Sequence, residues 1–100
     1  MKKSLSVVLL LLFTLNLQAD DVTGEKVFAK KVKRICGIKG GEVSKKYNAK
    51  EWTYIYNSGH LNSTLKEICP GIKPIKHEHL FHLYQFFFKY AKGSNKKPTC

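Results

Sequence analysis

GEKVFAKKVKRICG, residues 24–37, carries a clear helical period. Phe28, Val32 and Ile35 are spaced four and three apart, which puts them on one side of an α-helix. Lys26, Lys30, Lys31, Lys33 and Arg34 cover the remaining surface, and Gly37 supplies a C-terminal stop. The pattern predicts a short amphipathic helix that buries Phe28, Val32 and Ile35 and leaves its cations in water.

The chain that follows reads as more helices. Residues 37–47, GIKGGEVSKKY, hold three glycines and no helical spacing, which predicts a loop. Asn48 and Glu51 have the spacing of a capping box, in which each side chain bonds the other's backbone N–H. Beyond them Trp52, Ile55 and Tyr56 share a face, with Trp52 as a core anchor and Gly59 as the stop. Leu61, Leu65 and Ile68 repeat the pattern. Thr64 and Glu67 offer a second capping box, and Pro70-Gly71 ends the segment. Pro74 suits the first position of the last helix, Ile75 to Lys92. There Leu80, Leu83, Tyr84, Phe87 and Ala91 form one stripe, widened by Phe81 and Phe88. Lys89 and Lys92 sit favourably at the negative end of the helix dipole. The fold class is all-α, a small bundle of three to four helices.

Residues 1–19 begin with Lys2 and Lys3, run through an apolar stretch from Val7 to Phe13 and end at Ala19. This is the layout of a signal peptide, and the apolar run is shorter than the roughly 20 residues a membrane span needs. The expectation is export, cleavage after Ala19 and a soluble periplasmic domain at 20–100, with no lipid-attachment cysteine after the run. Removing Lys2 and Lys3 from the 18 basic residues leaves 16 against 7 acidic ones, a net charge of +9. In an exported protein that charge points away from nucleic acid and toward an acidic protein partner or an anionic membrane face. The three cysteines, Cys36, Cys69 and Cys100, all lie in this domain, where an oxidising compartment favours disulfides. Three pairings exist, and the odd cysteine is left free or joins two chains as a dimer.

Gly24-x-x-Val27-Phe28, followed eight residues later by a residue-glycine pair at Cys36-Gly37, resembles the first helix of the class I cytochromes c. In that family the helix ends in Cys-x-x-Cys-His-Gly. Here Val32 and Ile35 fall on the two haem-attachment cysteines, Cys36 on the axial histidine and Gly37 on the glycine after it. The Glu51-Trp52 pair at a mid-chain helix start is also similar to the family. The likeness spans about residues 22–92. It implies a cytochrome c-like fold whose first and last helices cross, with Gly24 and Phe28 meeting Phe87 and Tyr90 around a core of Val32, Ile35, Trp52 and Leu83. It implies no covalent haem, since both tethering thiols are missing, and leaves Cys36 as the one inherited position for an iron ligand. It also implies a Cys36–Cys69 bridge closing the space a haem would fill, with Cys69–Cys100 as the rival.

His77, His79 and His82 do not form a zinc-protease motif, because position 81 is Phe81. His79 and His82 are three apart and could hold a transition metal with His60 as a third ligand. No nucleophile elbow, carboxylate pair or Cys-x-x-Cys points to catalysis, so the chain reads as a non-enzyme. The leading expectation is a haem-free, cytochrome c-like binding or accessory module of a redox system. The alternatives are an electron carrier holding haem non-covalently, and a disulfide-stapled secreted helical protein unrelated to cytochromes.

Overall fold

The structure is a computed structural model that describes residues 23–99, so the expected signal peptide and Cys100 lie outside the described residues. Its elements are α1 (23–36), α2 (Gly40–Ser44), α3 (Ala49–Asn57), α4 (Leu61–Ile68) and α5 (His77–Lys89). Among the described residues there is no β-strand, and they are all-α as the sequence predicts, with five helices in place of the expected three to four because the glycine-rich stretch adds α2.

α1 is not uniform. Residues 23–28 are α-helical, Ala29–Lys33 form a π-helical segment, and Arg34–Cys36 return to the α form. Gly37 closes it at φ 68°, its N–H donating to the Lys33 carbonyl at 2.8 Å. A π turn takes up more residues than an α turn. The inward positions therefore step by four, from Phe28 to Val32 to Cys36, and Ile35 is carried outward. It is 47% exposed, which corrects the expectation that Ile35 belongs to the core.

α1 lies against α5 at very close range. A Cβ on Gly24 would stand 2.7 Å from the His82 carbonyl oxygen and 3.1 Å from the Phe86 Cβ. Only glycine lets the two backbones approach this closely. One turn on, Phe28 is fully buried, stacks on Phe86 at 5.3 Å and meets Phe87 edge-on at 6.0 Å. The contact is thus centred on His82 to Phe87, nearer the start of α5 than the sequence placed it. Tyr90 is half-buried, packs on Phe86 at 5.2 Å and donates its hydroxyl proton to Glu25 at 3.4 Å.

The glycine-rich stretch expected to be a loop contains α2. Its Val43 and Ser44 are fully buried, and the Ser44 carbonyl accepts the Trp52 indole N–H at 2.9 Å. Core contacts thus outweigh the low helix propensity of Gly40 and Gly41. Trp52 is the largest fully buried side chain; it stacks on Phe87 at 4.5 Å and meets Tyr47 edge-on at 5.0 Å. α3 begins at the reciprocal cap read from the sequence. The Glu51 N–H donates to Asn48 Oδ1 at 2.8 Å, and the Asn48 N–H donates to Glu51 Oε1 at 3.0 Å.

α4 starts at Leu61 and buries Leu61 and Leu65. Thr64 therefore sits in mid-helix, 8% exposed, and the second capping box does not form. Just beyond α4, Cys69 bonds Cys36, their Cα atoms 5.8 Å apart across a sequence separation of 33. A ring of this length is worth about 3–4 kcal/mol in the chain-entropy picture. This bond excludes the rival Cys69–Cys100 pairing.

α5 begins at His77 because Asn62 holds the preceding segment extended. Its Oδ1 accepts from the Ile75 N–H at 2.9 Å and its Nδ2 donates to the Ile75 carbonyl at 3.1 Å. Pro74 is accordingly outside the helix, a correction to its expected place at the first position. The other end is shorter than Lys92 for a related reason. Lys45 Nζ donates to the carbonyls of Tyr90, Ala91 and Lys96 and to Ser94 Oγ, all within 2.8–3.1 Å. That ammonium sits where the helix dipole is negative and satisfies carbonyls the helix leaves open. Lys92 then turns away and donates its N–H to the Tyr47 carbonyl at 3.0 Å. The core is closed by Leu83 and Phe87, both fully buried, on the inner face of α5.

Candidate interaction surface

The helical period that points Leu83 and Phe87 inward leaves Phe81, Tyr84 and Phe88 on another side of α5, at steps of three and four. Phe81 is 41% exposed and Phe88 47%. Tyr84 is half-buried between them. Tyr56 of α3 lies flat on Tyr84, with ring centres 4.5 Å apart and planes within 9°, and reaches Phe81 at 6.1 Å. Tyr84 in turn meets Phe88 at 5.9 Å. The Tyr84 hydroxyl shares a hydrogen bond with Thr53 Oγ1 at 2.9 Å, and Thr53 donates to the Ala49 carbonyl. Four rings therefore form one continuous band across α3 and α5, and the middle of the band is fixed by stacking and hydrogen bonding.

The band borders a groove of about 700 Å³ lined by Ala49, Tyr84, Gln85, Phe88, Lys89, Ser94 and Lys96. Two lysines line it and no carboxylate does. The Lys45 ammonium, by holding Ser94 and the Lys96 carbonyl, fixes the segment that forms one wall. Rigid aromatic rings next to cations are what a specific protein contact needs. They bring large area with little ordering cost, and a charge that selects an acidic surface. A second groove, about 560 Å³, lies between α3 and α4 beside Tyr54, which is 70% exposed. Its Glu51 is engaged in the α3 cap, and its His60 Nδ1 is 2.8 Å from Ser58 Oγ.

The sequence-predicted ligands are placed as follows. Cys36 is bonded to Cys69 and has no thiolate to offer, which overturns its expected role as an iron ligand. His79 sits in the first turns of α5, its Nε2 3.9 Å from Glu78 Oε1. His82 contributes its carbonyl to the Gly24 contact. His60 is held at the turn between α3 and α4 and does not join them, and among the described residues no group of three metal-ligating side chains converges. The aromatic band was not anticipated as a surface. Its only signal in the sequence was that α5 carries more apolar residues than one core-facing stripe requires.

Comparison with known proteins finds no match for this chain among protein-family models, curated proteins or solved structures.

Proposed function

We propose that this protein is an exported, haem-free, cytochrome c-like module that acts without catalysis, as a binding or accessory component of a redox system. Its partner is an acidic protein surface that docks on the aromatic band of α5. The observation that carries the reading is the fixed Phe81–Tyr56–Tyr84–Phe88 band beside a lysine-lined groove without carboxylates. Supporting it, Cys36 stands where the family's axial histidine would be and is consumed in a disulfide, a bond that belongs in an oxidising compartment.

The test uses the protein purified gently from its own exported fraction, beside a Phe81→Ser/Phe88→Ser variant. The expected result is a featureless visible spectrum and an acidic protein that accompanies the wild type and is lost from the variant. A Soret band that follows the protein through gel filtration would overturn the haem-free reading. Equal retention of the same partner by the variant would overturn docking at α5.

A further inference from the structure

A different face of the molecule carries charge without compensation. The π segment of α1 contributes Lys30 and Lys31 to a cleft of about 280 Å³ whose other side is Lys73 and Lys76, with His79 of α5 at its end. No carboxylate lines it. Among the described residues the ammonium group of none of these four lysines has an ion-pair or hydrogen-bond partner; Glu78, the nearest acid in sequence, is 74% exposed and lies against His79.

The fold, rather than chance, gathers these cations. Lys30 and Lys31 come from one end of the chain. Lys73 and Lys76 flank Ile75, which is 7% exposed and clamped at both its N–H and its carbonyl by Asn62. The same π segment that presents Lys30 and Lys31 turns Ile35 out of the core and into the wall of this cleft. Like charges that line one cleft repel one another, and a bound anion reduces that repulsion.

We propose that this cleft docks the protein on an anionic membrane face, the four lysines taking lipid phosphates and the exposed Ile35 entering the headgroup layer. Cations alone would suit any polyanion. The exposed aliphatic side chain within the same wall is what favours a lipid surface, where apolar contact and surface potential act together. This site is separate from the aromatic band, and the two proposals stand or fall independently.

The experiment is co-sedimentation of the disulfide-intact exported protein with phosphatidylcholine vesicles, with and without about one-third phosphatidylglycerol. Binding is expected only with the anionic lipid and is expected to fall steeply at high salt. A Lys30→Gln/Lys31→Gln/Lys73→Gln/Lys76→Gln variant should bind roughly a thousand-fold more weakly, at about fivefold per lysine. A second variant with Lys46, Lys50, Lys92 and Lys97 changed to Gln has the same net charge and should keep most of the binding. Ile35→Ser should weaken vesicle binding several-fold. Equal loss in the two lysine variants would overturn the site in favour of diffuse charge. Full competition by millimolar inorganic phosphate, with Ile35→Ser unaffected, would assign the cleft to a free anion and overturn the membrane. Binding of poly-glutamate that the first variant abolishes, with no vesicle binding, would assign it to an acidic protein instead.

Discussion

The inner face of α5 presents Leu83, Phe86 and Phe87, and its outer face presents Phe81, Tyr84 and Phe88. The two sets are chemically close, yet Phe87 is fully buried and Phe88, its neighbour in sequence, is 47% exposed. The difference lies in what the rest of the chain brings to each face. Gly24 lets α1 come close enough for Phe28 to stack on Phe86, and Trp52 covers Phe87 from α3. The outer face receives only Tyr56 and the Thr53 hydroxyl of α3, both at Tyr84, and leaves Phe81 and Phe88 largely to solvent. An apolar residue on a helix is therefore committed to the core only when a second element has the shape to reach it.

Truncation on the inner face should destabilise the protein most. Phe87→Ala should cost about 3–5 kcal/mol, because it removes the ring that both Phe28 and Trp52 pack against. Urea unfolding with the disulfide intact reads it, and a loss below about 1 kcal/mol would mean that the two faces are energetically alike. Gly24→Ala comes next. The added Cβ meets a backbone carbonyl rather than a flexible side chain, so the chain must shift. The expected cost is about 1–3 kcal/mol, larger than the roughly 0.5–1 kcal/mol that alanine gains over glycine in a helix. Stabilisation by Gly24→Ala in the same assay would show that α1 does not sit this close to α5. The smallest effect belongs to the outer face. Phe88→Ala should change the unfolding free energy by less than about 0.5 kcal/mol. A larger loss would place Phe88 in the structural core and remove it from the docking surface.

Much of the inner architecture was legible in the sequence, because it rests on local rules. Asn48 and Glu51 announce the α3 cap at their own spacing, and Trp52 is too large and apolar to be left outside. Gly24 and Phe28 signalled a close helix contact, although its position along α5 was off by about a turn. What escaped depends on partners distant in the chain. α2 is hidden by Gly40 and Gly41 and becomes a helix because Val43 fills the core and Ser44 receives Trp52. Ile35 reads as a core residue only if α1 is a regular helix, and the π segment breaks that period. The lysine cleft joins residues on either side of three helices, so no window of sequence displays it. Phe81 and Phe88 look like core residues by period alone; their exposure follows from the absence of a sixth packing element among the described residues.

The bond between Cys36 and Cys69 divides the covalent chain into a ring and two arms. α2, α3 and α4 lie within the ring, while the arms carry α5 and nearly all of α1, the pair that meet at Gly24. A protease that cut the exposed turn at Ser58–Gly59 would open the ring without freeing either arm. The severed molecule would gain one water, stay in one piece under non-reducing conditions and keep both helices of the close contact on one bridge. In the extracytoplasmic setting proposed for it, a single cleavage there would leave a scar and no fragment to lose.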